Sequence, residues 1–190
     1  MTTTQLRLTT IVRAGGLITG VAGVGTLLLG VIEYRDQAET ARAAETIHMI
    51  DRWEDRNTGI LAAYQSLSRR VTEVLRTRPA ATEPGQSPDE VVASLVSAVL
   101  DQDGAREEFE KVVYFFSRLE LCVEARQCDE RTSAIFFSDT VDTFMRNFRG
   151  AILERRSMDP HFGSDIRSLQ IRLNRSAARV RTDDPGPLRP

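Results

Sequence analysis

The stretch Ala14-Gly15-Gly16-Leu17-Ile18-Thr19-Gly20-Val21-Ala22-Gly23-Val24-Gly25-Thr26-Leu27-Leu28-Leu29-Gly30-Val31-Ile32 holds nineteen residues without a charge. As a helix it would be ~28 Å long, close to the ~30 Å hydrocarbon core of a bilayer. Arg13 bounds it on one side and Glu33-Tyr34-Arg35-Asp36 on the other. A soluble core helix of this length would carry polar residues along one side, whereas here only Thr and Gly interrupt the apolar run. A cleaved leader would have an apolar segment of about 7–15 residues. The nearest small-x-small triplet, Ala41-Arg42-Ala43, also lies too far downstream for easy cleavage. Gly20-x-x-Gly23-x-Gly25 is no phosphate loop, because no strand precedes it and no Gly-Lys-Ser/Thr follows. Residues 14–32 therefore read as an uncleaved transmembrane helix behind a short tail, residues 1–13.

Within this helix Gly16 and Gly20 are four apart, and Ala22, Thr26 and Gly30 repeat that spacing. Small residues at i, i+4 let two backbones approach closely in lipid, so this face is the candidate for packing into a homodimer. Orientation stays open. Arg7 and Arg13 precede the span and Arg35 and Arg42 follow it, and Lys/Arg counts rather than acids set topology.

The 190-residue chain has room for the anchor and one further domain. Net charge is -2 and 27% of residues are charged, ordinary for a water-facing unit and without a nucleic-acid signature. Lys111 is the only lysine. The Arg- and Ala-rich, Lys-poor usage fits a high-GC bacterium, so the expected location is a bacterial cell membrane, crossed once.

After the span the helix is expected to continue as a stalk through Ala38, Ala41, Ala43 and Ala44, with Ile47, Ile50 and Trp53 starting an apolar stripe. Asp55 and Asn57 offer N-caps for a second helix with Ile60, Leu61, Tyr64, Leu67, Val71, Val74 and Leu75 as its apolar positions, spaced by threes and fours. Pro79, Pro84 and Gly85 make residues 79–87 a flexible connection. Ser87-Pro88-Asp89-Glu90 is a helix start, with Ser87 as cap, Pro88 at the first position and Glu90 reaching back. Val91, Val92, Leu95, Val96, Val99 and Leu100 follow as a buried face. Phe109, Val112, Val113, Phe116, Leu119 and Val123 then mark a helix over about 105–125. Asp129 is the next cap; Ile135, Phe136 and Phe137 begin the following apolar stretch, and Val141, Phe144, Phe148 and Ile152 continue it. Asp159 to Gly163 is a turn, and Ser164 or Asp165 caps a last helix with Ile166, Leu169, Leu173 and Val180. Three prolines and a glycine make residues 182–190 a disordered tail. No alternating, strand-like run appears. The fold class is all-α: a transmembrane helix continuing into a stalk, then a bundle of roughly five helices over residues 33–181.

Phe115-Phe116-x-x-Leu119-x-Leu121, a turn, Asp129-Glu130 and Phe136-Phe137-x-Asp139 resemble a bacterial domain-of-unknown-function family, over about two thirds of the chain. In that family a membrane helix leads into a small helical domain, and Trp53 shortly after the anchor also fits. The chain departs by carrying Gln127 and Cys128 where the family often has Gly and an aliphatic residue. The resemblance implies an anchored helical domain and no particular activity.

The chemistry-bearing residues are sparse. His48 and His161 are far apart and lack a second ligand at metal spacing, so no metal or cofactor is expected. No nucleophile elbow is present. Glu107, Glu108 and Glu110 read as a solvated helix face. Cys122 and Cys128 are six apart across a turn. In an exported domain they would form a disulfide. In a reducing compartment they would be small buried residues. The reduced state is the expectation, because closing one short loop stabilises little. The segment from Glu83 to Glu130 is acidic and that from Arg146 to Arg181 basic, with Arg172, Arg175 and Arg179 on one face of the last helix. Those arginines would either pair with the acidic half or meet an anionic lipid or another polyanion. The reading that follows is a membrane-anchored, non-catalytic interaction or scaffold module with an unidentified protein partner. The alternatives are anionic-lipid or polyanion binding through the last helix, and an enzyme with scattered acidic site residues.

Overall fold

The computed structural model describes Glu33, residues 35–77 and residues 95–183, and every regular element among them is helical. The chain divides into two units, Met1–Ala41 and Arg42–Pro190. In the first unit residues 35–41 are helical, and the Thr40 hydroxyl donates to the Asp36 carbonyl at 2.8 Å. Residues 14–32 with their packing face Gly16, Gly20, Ala22, Thr26 and Gly30, the connection at 79–87, the helix start at Ser87 and residues 184–190 lie outside the described residues. Among the described residues no helix is long and apolar enough to cross a membrane.

The second unit contains α1 (residues 42–54), α2 (Ile60–Thr77), α3 (residues 95–100), α4 (Ala105–Glu124), α5 (Glu130–Met158) and α6 (Ser164–Asp183). The all-α expectation holds for the described residues. The segment expected as the end of a stalk is a packed helix instead. Thr46, Met49 and Trp53 are its buried residues, while Ile47 is 54% exposed. The expected stripe was out of register. Six residues along a helix turn through about 600°, so Ile47 and Trp53 point about 120° apart, whereas spacings of four and seven stay on one face.

Between α1 and α2 the chain turns before the helix the sequence assigns to Asp55 or Asn57. Asp55 Oδ1 accepts from Asn57 N–H at 2.9 Å and so closes an Asx turn, and Gly59 at φ 63 leads into Ile60. Gly104, also left-handed at φ 73, leads into α4, where Glu107 and Glu108 oppose the positive end of the helix dipole.

α4 is the middle of the unit and packs on α2, α5 and α6. Phe109, Val112, Val113, Phe115, Phe116, Leu119 and Val123 are all buried, wider than one face because α4 has neighbours on several sides. The six expected core residues of this helix are among them. At its C-terminus the Cys122 carbonyl accepts from both Gln127 N–H (2.9 Å) and Cys128 N–H (3.0 Å), and Arg126 takes φ 56. These bonds satisfy the end of the helix and reverse the chain. Asp129 then caps α5 as expected, accepting from Thr132 N–H at 2.7 Å.

α5 and α6 form an antiparallel pair joined by residues 159–163. Gly163 sits at φ 60, and a Cβ there would come within 3.0 Å of Ile152 Cγ2, so both backbone conformation and helix approach require glycine. Ser164 and Asp165, expected as caps, are instead the first two residues of α6, and the Ser164 hydroxyl donates to the His161 carbonyl at 3.1 Å. It runs through Thr182 and Asp183, past the start of the tail read from the sequence. Ile166, Leu169 and Leu173 are fully buried, and Val180 is half-buried.

Phe116 has no exposed surface and its ring lies 5.4 Å from that of Phe144, which in turn lies 5.0 Å from that of Phe148. Replacing Phe116 by Ala should destabilise the chain by ~3–5 kcal/mol, a large part of the stability of a unit this size. Phe136 of α5, 39% exposed, should tolerate Ala with a loss of about 1 kcal/mol. Thermal unfolding of the detergent-solubilised chain, followed by circular dichroism, measures both.

Candidate functional site

The arginines of the last helix do not act as one set. Arg172 is half-buried and its Nη2 donates to Glu120 Oε1 at 3.2 Å, while Arg175 and Arg179 are exposed and form no ion pair with a described residue. Glu120 is 2% exposed, on α4. Its Oε2 and the Arg172 Nε have no hydrogen-bond partner among the described residues. Burial pushes the Glu120 carboxyl above its ordinary value of 4.5; the hydrogen bond and charge of Arg172 oppose this, and Glu124 and Asp165 add to it. Sequence reading passed over Glu120. Its position, four after Phe116 and three before Val123, places it on the core side of α4, and that spacing was the available signal.

The acidic cluster on α4 is used for packing the helices together. Glu108 lies 3.6 Å from Arg70 of α2, and Glu110 lies 3.4 Å from Arg155 of α5, while Glu107 is exposed. His48 is exposed, 3.8 Å from Glu45, and His161 is exposed in the α5–α6 turn. Among the described residues no group of three or more His, Cys, Asp or Glu is placed to hold a metal ion.

Cys122 and Cys128 are joined in a disulfide, with Cα atoms 5.2 Å apart. This differs from the reduced state expected. The reason is the turn: two amides donating to the Cys122 carbonyl bring Cys128 back over the last turn of α4, and both residues are buried there. The spacing of six fitted either state, and the left-handed Arg126 that makes the return tight is not a residue type that announces itself.

A different set of basic residues converges on the outer side of the α5–α6 pair. Arg146 and Arg149 of α5 and Arg167 of α6 line an open groove of about 520 Å³. Asp142, Gln170 and Asn174 lie along the same groove. Asp142 Oδ1 accepts from Gln170 Nε2 at 2.7 Å and from Asn174 Nδ2 at 2.8 Å. All three arginines are exposed, and none is within 4.0 Å of a described carboxylate.

No protein-family model matches the chain, and neither a curated protein nor a solved structure matches it.

Two outcomes follow from the Glu120–Arg172 pair. Arg172→Gln leaves a buried carboxylate without its partner. The loss should be on the order of 2 kcal/mol, below the 3–5 of a fully buried pair, because Arg172 keeps 34% of its side chain exposed and Glu120 can take up a proton. Arg175→Gln with Arg179→Gln should change stability by no more than about 0.5 kcal/mol. Glu120→Gln tests the titration. The folded carboxyl titrates above the ordinary value, so its contribution is full below pH 4.5 and is lost as pH rises through the folded value. The stability of the natural chain relative to Glu120→Gln should therefore fall from acid toward neutral pH, as read by thermal unfolding across a pH series. A difference that grew with pH would mean that Arg172, not burial, dominates.

Proposed function

We propose that the chain is a single-pass bacterial membrane protein whose helical unit is a non-catalytic interaction module on the oxidising side of the membrane. The observation that carries this reading is the Cys122–Cys128 disulfide in a chain that also holds the uncharged run at 14–32. Disulfides persist in exported and envelope compartments and are rare where thiols are kept reduced. With the helical unit outside, residues 1–13 lie in the cytoplasm. Arg7 and Arg13 before the span are matched in number by Arg35 and Arg42 after it, so the orientation proposed here rests on the disulfide. A non-catalytic role is supported by the use of the acids that an enzyme would need. Glu108, Glu110 and Glu120 are each spent on an arginine of another helix. The five small residues from Gly16 to Gly30 favour a homodimer through the span, which would present two helical units to a protein partner. The family resemblance supports the anchored helical domain alone.

Membrane fractionation and thiol labelling test the proposal together. The chain should stay with membranes in alkaline carbonate, and a C-terminal tag should be lost when protease is added to sphaeroplasts. In acid-quenched cells, the denatured chain should react with a maleimide polymer only after reduction. Release by carbonate would remove the anchor from the reading. Two reactive thiols without reductant, or a protected tag, would place the helical unit in the cytoplasm.

A further inference from the structure

We infer that the groove between α5 and α6 binds an organic phosphate through Arg146, Arg149 and Arg167. Four arginines of the unit stand within ion-pair distance of a carboxylate, Arg70 at Glu108, Arg106 at Asp101, Arg155 at Glu110 and Arg172 at Glu120, and Arg146, Arg149 and Arg167 are among those that do not. Yet three guanidinium groups line one groove with a single acid, Asp142. That acid offsets at most one of the three positive charges and forms no ion pair within 4.0 Å of any of the three arginines; its Oδ1 accepts from Gln170 and Asn174, and the groove keeps a net positive charge. Gathering like charges in a concave surface raises the local positive potential and favours an anion there. Arginine forks match phosphate oxygens bidentately, which makes phosphate the fitting anion. The groove, about 520 Å³, has the size of a small-ligand site rather than of a single inorganic ion. Asp142, Gln170 and Asn174 at the other end supply oxygen acceptors for a hydroxyl or amine on the phosphate's substituent. The ligand class is thus a phosphate ester with a short polar substituent, supplied either by a lipid headgroup or by a soluble metabolite. Two packed helices carry all these residues, so their backbones hold a fixed spacing across the groove. The proposal does not rest on residues 14–32 crossing a membrane.

The test uses the full chain in non-ionic detergent at about 0.15 M ionic strength, where weak surface attraction is screened within ~8 Å. The probes are glycerol 3-phosphate and a short-chain phosphatidylglycerol, each titrated by calorimetry. Saturable binding is expected, weakened about tenfold or more in the triple variant Arg146→Gln, Arg149→Gln, Arg167→Gln. The pair Arg175→Gln, Arg179→Gln removes two arginines from the same basic segment outside the groove and should bind like the natural chain. If the triple variant loses its helical signal, the three single variants replace it, each expected to weaken binding several-fold. Tighter binding of the lipid probe assigns the groove to a headgroup, and equal binding of both assigns it to a soluble phosphate. The inference is overturned if neither probe saturates, if the groove variants bind unchanged, or if the control pair loses as much as the triple.

Discussion

Trp53 holds the helices of the packed unit to one another. Its ring stands 5.6 Å from Tyr64 on α2, 5.0 and 5.6 Å from Phe115 and Phe116 on α4, and 5.9 Å from Phe137 on α5. One indole from α1 therefore meets three other helices, in offset and edge geometries that add stabilisation beyond area burial. The aromatic series continues from Phe116 through Phe144 and Phe148 to Phe109 and Phe162. Large rings suit a bundle whose middle helix has neighbours on several sides, because each fills the space between helices that aliphatic side chains would leave open.

The polar contacts at the α4–α5 corner decide how that core is closed. The Thr46 hydroxyl donates to the Arg42 carbonyl within α1 and accepts the Asp129 N–H at 2.7 Å. Asp129 in turn caps α5, so α1, the corner and the start of α5 share one hydrogen-bond chain. The disulfide adds a covalent tie at the same place. Its six-residue loop limits the chain-entropy gain, so its main effect is to hold the left-handed turn and the cap that follows. The end of the expected stalk, residues 42–54, packs into the unit for this reason. Residues 42–54 are an integral wall of the bundle because Thr46, Met49 and Trp53 have places prepared on α4 and α5.

Periodicity made the cores of α4, α5 and α6 legible, and the reason is length. Over twenty or more residues an apolar spacing of three and four has few competing registers, and Phe109, Phe116, Val141, Phe144, Phe148 and Leu169 all lie where it puts them. Short segments failed differently. Three apolar residues in α1 admitted two registers, and only the packing of Trp53 selects between them. Asp55 read as a cap because Asx residues serve turns and caps alike. The charged residues were legible in kind but not in pairing. Arg172, Arg175 and Arg179 share a helix face in any register, yet only the first reaches a buried acid, and that acid belongs to a helix 52 positions earlier. Arg146, Arg149 and Arg167 lie on two helices, and no spacing within one helix could have joined them.

The distribution of pairs follows from where the acids are. The acidic residues of α4 face α2, α5 and α6, and arginines from each of those helices reach them: Arg70, Arg155 and Arg172. α4 is central, so its carboxylates draw arginines inward to the seams. Along the α5–α6 groove, Arg146, Arg149 and Arg167 face one lining acid, Asp142, whose Oδ1 accepts from two amides. A chain with net charge -2 thus carries a cationic groove, because its arginines are concentrated between Arg146 and Arg181 and only some of them, such as Arg155 and Arg172, reach a carboxylate of α4. Salt should act on the two regions unequally. The seam pairs are partly shielded from solvent, whereas the groove is open, so screening will weaken attraction at the groove before it loosens the bundle.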